Sequence, residues 1–374
     1  MKQKIVVGCS NFGLGPVGKL SNFIEEYKDE YEWYACGEKF DLNVFNNCFY
    51  IDACWSLNEA ELKEFIDRYE IKYALIVLKN KLARILKNIG VKVIYVDSLP
   101  FMWTEKDAKN GKVPYDVDAY CAQKTLPLNN GNKEIFKKVK NLYWINPIIK
   151  NNKNIRKINN ENDIIINIGG LHSPTSDGIE YIGMVLIPLI ETLKQIYLKN
   201  KIIITTGTQT KELLKNKMDN YKNVNVETYK QNEFLERVKS SYLFMTAPGL
   251  TTICEVINMK KPVILLPPEN LSQFYNIKFA QKKLYKYKIL KWNIKEMNLS
   301  NLRNENSLES EIIDKMINCL KSNFNEQYIK KQKDYFIKKL GKEYKVNNNY
   351  QYIESGTNEI NYLINKFLKG GQDE

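Results

Sequence analysis

The chain has a single histidine, His172, in 374 residues. Its seven cysteines, Cys9, Cys36, Cys48, Cys54, Cys121, Cys254 and Cys319, are odd in number and no two stand as C-x-x-C. Both shortages argue against a Cys/His zinc site and against a disulfide framework. They read as reduced thiols of a cytoplasmic protein. Long apolar runs are missing too. Residues 5–7 are far shorter than a signal-peptide core of about 7–15 residues. The longest apolar stretch, residues 181–198, is broken by Glu191 and Lys194. A bilayer span needs roughly 18 apolar residues in a row, so no integral membrane segment is expected.

Lysine and arginine number 56 against 43 acids, a net charge of +13. Such a field attracts anions, nucleotide phosphates among them. No nucleic-acid recognition motif accompanies it, so no nucleic-acid partner is expected. The lysine-dense residues 278–291 mix Lys with Tyr, Leu and Ile, the pattern of a solvated element with one buried face.

At about 100–200 residues per domain, the length predicts two domains. Residues 4–9 read as a strand, followed by a glycine loop and an amphipathic helix. Strands are then expected at 72–77 and 91–96, a helix at 82–89 stopped by Gly90, and short elements at 118–123 and 142–145. Residues 149–162 are Asn- and Lys-rich and read as a linker. The rhythm restarts with strands at 164–168, 201–206, 224–228, 241–246 and 263–266, and one long helix at 179–198. The expected fold is α/β: two Rossmann-like, doubly wound parallel-sheet domains, residues 1–148 and 163–345, facing across a cleft. Residues 346–374 are expected to hold a final helix that crosses back to the first domain.

The densest motif is Ala247-Pro248-Gly249-Leu250-Thr251-Thr252-Ile253-Cys254-Glu255. A strand ends, Gly249 turns, and Thr251 or Thr252 is expected to cap a helix whose N-terminus offers N–H groups to a pyrophosphate. Glu255, one turn in, suits vicinal ribose hydroxyls. Lys261-Pro262-x-x-x-x-Pro267 follows, and then Glu269, Asn270, Gln273 and Asn276, whose amides can donate to and accept from sugar hydroxyls.

The set Pro248-Gly249-x-x-Thr252-x-x-Glu255, Lys261-Pro262-x-x-x-x-Pro267 and Gln273-x-x-Asn276 resembles the donor-nucleotide signature of GT-B glycosyltransferases. The UDP-glycosyltransferases and the peptidoglycan N-acetylglucosaminyltransferase are the family members it is most similar to. The resemblance implies that the helix N-terminus (Gly249, Leu250, Thr251, Thr252) holds the diphosphate and Glu255 the ribose. It also implies that Asn270, Gln273 and Asn276 contact the donor sugar. Gly169, Gly170 and His172 would approach the diphosphate, with Gly207 and Thr208 in a similar position. Tyr229 to Gln231 would hold the base. The loop Gly13-Leu14-Gly15-Pro16-Val17-Gly18 superficially matches a dinucleotide fingerprint, but no acid ends the second strand. The family places an acceptor loop there, so Gly13, Gly15, Pro16, Val17 and Gly18 are expected to line the acceptor. With Asp97-Ser98-Leu99-Pro100-Phe101-Met102-Trp103, this loop also resembles cytosylglucuronate synthases.

The chain departs from the family in having no histidine in its first half. A general base is needed to deprotonate a neutral acceptor, and Asp97, at a strand end, is the first candidate. Phe101 and Trp103 could stack an acceptor ring. Asp116-Val117-Asp118 is a D-x-D far from the donor signature and reads as incidental, so no metal and no cofactor are expected. The expected activity is transfer of a sugar from a nucleoside-diphosphate sugar, UDP-linked as the resemblance implies, to an unidentified acceptor. A nucleotide-binding subunit without activity and a nucleotide-sugar 2-epimerase are the alternatives. The assembly state is open, with a homodimer as one option.

Overall fold

The computed structural model describes residues 2–39, 50–150, 155–159, 161–169, 178–303, 307–348 and 351–370. It divides into two compact units, Met1–Asn151 with Ile353–Glu374, and Asn152–Tyr352.

The first unit is built on seven strands: β1 (Gln3–Cys9), β2 (Tyr31–Cys36), β3 (Ala53–Cys54), β4 (Tyr73–Val77), β5 (Lys92–Asp97), β6 (Ala119–Gln123) and β7 (Leu142–Ile145). Their order is β3-β2-β1-β4-β5-β6-β7, and every pairing is parallel. β4 is buried along its whole length, as a strand covered by helices on both faces must be. The helix Gly15–Glu26 lays Val17, Leu20, Phe23 and Ile24 on this sheet. The final helix, Thr357–Gly370, adds Ile360, Leu363 and Ile364 to the same core. Gly8 is sterically required, because a Cβ there would meet Leu82 at 2.5 Å and the Cys36 carbonyl at 2.9 Å.

The second unit repeats the plan with β8 (Asp163–Gly169), β9 (Lys201–Thr206), β10 (Val224–Glu227), β11 (Leu243–Thr246), β12 (Val263–Leu265), β13 (Lys286–Ile289) and β14 (Lys345–Val346). The order is β10-β9-β8-β11-β12-β13-β14, and only β14 runs antiparallel. The long helix expected at 179–198 is not uniform. It opens as Ile179–Tyr181, widens into a π-helical turn at Ile182–Leu186, and resumes at Ile187–Ile196. Pro188 explains the break: it has no N–H to give to the preceding turn, and its ring crowds the carbonyl there. Gly183, within the widened turn, lies where a Cβ would touch the Phe324 ring at 2.6 Å. Among the described residues, no helix is long and apolar enough to cross a membrane.

Candidate functional site

In the second unit the chain winds outward from β8 through β9 to β10, then returns to lay β11 against the other side of β8. The carboxyl ends of β8 and β11 therefore flank the topological switch point, where open parallel sheets bind ligands. Polar side chains interrupt the apolar strands here. Asn167 pairs with Thr246 across the switch; its Nδ2 donates to Thr246 Oγ1 at 3.0 Å, and Thr205 Oγ1 donates to its Oδ1 at 3.3 Å. Gly169 turns the chain at φ +60, and Thr206 Oγ1 holds its carbonyl at 2.6 Å. No motif marks Asn167 in the sequence, although a lone Asn inside Ile164-Ile165-Ile166-Asn167-Ile168 is a visible signal. Gly170 and His172 lie outside the described residues.

Helices follow the carboxyl ends of β9, β10, β11 and β12. Those after β9, β10 and β11 are capped by Gly207, Lys230 and Gly249 without a side-chain hydrogen bond. The expectation that Thr251 or Thr252 caps the helix is corrected: Leu250 is its first residue and Gly249 its cap, so both threonines sit inside the first turn. The cap residue thus offers no side-chain acceptor to the first-turn N–H groups, which suits an incoming anion. Thr208 likewise lies in the first turn of its helix. Glu255, 0% exposed, accepts a hydrogen bond at Oε1 from Gln231 Nε2 at 2.8 Å. This joins two residues that the sequence had nominated separately, for ribose and for base. Tyr229, just before them, packs its ring 4.3 Å from the Arg237 guanidinium, and burial pushes its pKa up to about 12.

Past β12, Tyr181 OH and Trp292 Nε1 each donate at 2.8 Å, to the carbonyls of Pro267 and Pro268. Asn270 caps the next helix by accepting from the Gln273 N–H. Gln273 in turn binds Glu269 twice, accepting from its N–H at 2.8 Å and donating to Oε2 at 3.2 Å. The other Glu269 oxygen is buried without a hydrogen-bond partner, and burial raises this carboxyl well above the usual range. Asn276 Nδ2 donates to the Pro248 carbonyl at 2.9 Å, beside the Gly249 turn, while its Oδ1 is buried and unpartnered. Asn270, Gln273 and Asn276 thus hold the loops in shape, and Glu269, to which the sequence reading gave no role, lies among them.

The first unit has its own switch point, between β1 and β4. The loop after β1 turns at Gly13, φ +63, and the helix begins at Gly15, with Pro16 in its first turn. Gly18 is already helical, its N–H bonded to the Leu14 carbonyl at 2.9 Å. A Cβ at Gly18 would meet nothing within 4 Å, so it does not serve the close helix–strand packing that the third glycine of a dinucleotide fingerprint provides. Pro16 and Val17 belong to the first turn of this helix and are buried, which speaks against their assignment to the acceptor surface. At the end of β4, Leu78 is held at φ +55, an uncommon conformation for a branched side chain.

Asp97 also requires correction. It is 0% exposed. Its Oδ2 accepts from Trp103 Nε1 at 2.7 Å and Tyr120 OH at 2.6 Å, and its Oδ1 from the Leu99 N–H at 2.8 Å. Burial raises its pKa despite these bonds. With all three donors on its two oxygens, this carboxylate ties strand ends together, a structural role that needs no acceptor. Phe101 and Trp103 are buried with it, leaving no ring face for stacking. Asp118 is bound by Lys87 Nζ at 2.6 Å and the Val93 N–H at 2.8 Å, and Asp116 by Lys140 at 3.1 Å. The D-x-D is therefore two separate ion pairs. Among the described residues, no group of three or more His, Cys, Asp or Glu is placed to hold a metal.

Residues 184–359 match the Glycosyltransferase family 28 C-terminal domain, a span that contains the Gly249 turn, Glu255 and residues 269–276. No curated protein matches the chain. Solved structures match over nearly the full length. UDP-GlcNAc 2-epimerase from Methanocaldococcus jannaschii is 14% identical, with 97% of this chain and 99% of that one covered, at a TM-score of 0.52. S. aureus MnaA, in a co-structure with UDP, is 12% identical over 98% and 97% at 0.54. The glycotransferase of kitacinnamycin is 11% identical over 91% and 95% at 0.51. With two parallel-sheet α/β units and these neighbours, the chain has the GT-B glycosyltransferase-like fold.

Proposed function

We propose that the chain transfers a sugar from a nucleoside diphosphate, UDP, to an acceptor bound by the first unit. The observation behind this reading is the hydrogen bond from Gln231 to Glu255 beside the Gly249 helix N-terminus. It couples a ribose-binding carboxylate to the strand end assigned to the base, next to N–H groups suited to a diphosphate. The match of residues 184–359 to the family 28 domain supports it. In this reading the diphosphate lies on residues 249–252 and is stabilised there as it leaves. Glu255 takes the ribose hydroxyls, and Asn270, Gln273 and Asn276 border the sugar. Gly13 and Gly15 border the acceptor. The nucleotide sugar is a substrate, and no resident cofactor takes part. With Asp97 enclosed and no histidine in residues 1–171, an acceptor whose attacking group ionises near neutral pH suits the first unit.

The second reading is a nucleotide-sugar 2-epimerase, favoured by the likeness to the UDP-GlcNAc 2-epimerase from Methanocaldococcus jannaschii. The two readings differ in one product, since only an epimerase inverts a carbon of the sugar with no acceptor present.

Calorimetric titration with UDP, GDP, dTDP and CDP tests the donor site. UDP is expected to bind, and Glu255→Ala to weaken it by about 1.5–3 kcal/mol, the worth of charged hydrogen bonds. Folded protein that binds none of the four would sink the proposal. Carbon NMR of UDP-N-acetylglucosamine incubated alone then separates epimerase from transferase.

A further inference from the structure

Asn167 is a half-buried amide near the end of β8, in a run otherwise made of isoleucine. Asn is depleted in strands, and this one is bonded to three segments at once. Its Oδ1 accepts from Thr205 Oγ1 on β9 and from the Gly169 N–H at 3.2 Å. Its Nδ2 donates to Thr246 Oγ1 on β11. The pairing of β8 with β9 shifts register between Asn167 and Gly169, a bulge that bends the strand into the Gly169 turn.

The bond to Thr246 carries further. A threonine hydroxyl has one proton to give. With the Asn167 amide donating to its oxygen, Thr246 gives that proton to the Ala247 carbonyl at 2.7 Å. The same carbonyl accepts from the Gly249 N–H at 2.7 Å, and the Asn167 carbonyl accepts from the Ala247 N–H, also at 2.7 Å. The turn from which the Gly249 helix starts is therefore anchored to Asn167 through side chain and backbone together. The fold does not demand this. The first unit has the same strand order around its centre. Yet the counterparts of these strand ends, Val7-Gly8-Cys9 of β1 and Leu75-Ile76-Val77 of β4, carry no side-chain amide or hydroxyl.

We propose that Asn167 is a positioning residue for the donor diphosphate. Its one carboxamide fixes the turn after β8 and, through Thr246, the turn after β11. It thereby sets the direction in which the first-turn N–H groups of the Gly249 helix point. The proposal rests on the reading of residues 249–252 as the diphosphate site. Asn167 acts through Thr246 and not by touching the nucleotide. Without the amide, the Thr246 hydroxyl is free to turn from the Ala247 carbonyl, and the turn loses one of the bonds that hold it. Anion binding at a helix N-terminus depends on the aim of its N–H groups, since such bonds weaken steeply off line.

Calorimetric titration of the full chain with UDP, run beside denaturant unfolding, tests this on Asn167→Val, Thr246→Val, the double variant and Thr246→Ser. Valine suits a strand and brings no charge, whereas Asp at 167 would itself repel a diphosphate. Asn167→Val and Thr246→Val are each expected to lose about tenfold in UDP affinity, and the double variant no more than either alone, because both break one chain of bonds. Thr246→Ser keeps the hydroxyl and is expected to keep the affinity that Thr246→Val loses, although its missing methyl leaves a cavity at a buried site and lowers stability. A purely structural role would make affinity follow stability, so Thr246→Ser would then bind UDP less well. If Asn167→Val does not fold, the two Thr246 variants carry the test. Wild type that binds no UDP sinks the donor reading itself. With wild type binding, three results overturn the role of Asn167 alone: Thr246→Val keeping full affinity, Thr246→Ser binding as weakly as Thr246→Val, or the two valine losses adding in the double variant.

Discussion

Gln231 Nε2 donates to Glu255 Oε1 at 2.8 Å, so the helix after β10 and the helix after β11 share one hydrogen bond beneath the strand ends. Glu255 has no exposed surface, and a buried carboxylate is tolerated only where donors meet it. Glu255→Gln keeps the volume and removes the charge. It is expected to weaken UDP binding by about 1.5–3 kcal/mol with little change in unfolding. Gln231→Ala removes a donor from a buried carboxylate and is expected to cost about 1–3 kcal/mol of stability as well. Calorimetry and denaturant titration, run on both variants, check the difference.

The same comparison separates the structural from the catalytic reading of Asp97. Three donors converge on its two oxygens. Asn in its place points an N–H2 group at one or more of those donors, a mismatch of about 1–3 kcal/mol. Asp97→Asn is expected to lower the unfolding midpoint, followed by tryptophan fluorescence, because Trp103 is itself one of the partners. UDP affinity should not move. A variant of wild-type stability that fails only in turnover would restore Asp97 as a general base.

These residues also mark where the sequence was legible. Strand β9 falls at the expected residues 201–206, and the expected strands near β4, β5, β8, β11 and β12 differ at their ends by one or two residues. Those strands are runs of Ile, Val and Leu that only a covered parallel sheet accommodates. β2 was missed because Tyr31-Glu32-Trp33-Tyr34-Ala35-Cys36 lacks β-branched residues. β13 was missed because its lysines hid one buried Tyr287. The turn at Gly249 and the helix after it were legible because a local motif marks them. The enclosure of Asp97 was not, since Trp103 and Tyr120 are 6 and 23 residues away in the chain and only the sheet brings them together. The role of Asn276 was hidden for the same reason, since the Pro248 carbonyl it meets is 28 residues away in the chain.

Lys261 gives the second unit a pH signature. Its Nζ donates to the carbonyls of Ser241 and Lys239, and burial, with a smaller contribution from Lys157, lowers its pKa to about 8 from 10.5. A depressed lysine pKa means that the unfolded chain binds the proton more readily than the folded one. Its contribution to stability is therefore present above the unfolded value and is lost as pH falls from about 10.5 through about 8. Lys261→Met removes that slope. The difference in unfolding free energy between wild type and variant is expected to change across this window and to be flat below it. Denaturant titrations at several pH values, followed by circular dichroism, read it directly. Parallel curves for the two proteins would refute the assignment.

The join between the final helix and the first unit rests on backbone contacts that leave no space. The Gly356 N–H donates to the Pro147 carbonyl at 3.0 Å, and Glu359 Oε2 accepts from the Asn146 N–H at 2.6 Å. Ser355 Oγ donates to the Ile149 carbonyl at 2.8 Å. A Cβ on Gly356 would stand 2.1 Å from the Asn146 carbonyl oxygen. That atom is backbone in a strand-end loop and cannot swing aside. Gly356→Ala is therefore expected to displace the start of the helix that buries Ile360, Leu363 and Ile364. The expected cost is about 1–3 kcal/mol, the range for overpacked sites. Hydrogen exchange should show lost protection in residues 357–364 and in β1, while the second unit keeps its protection and its affinity for UDP. Unchanged exchange in the helix would mean that its docking does not depend on this contact.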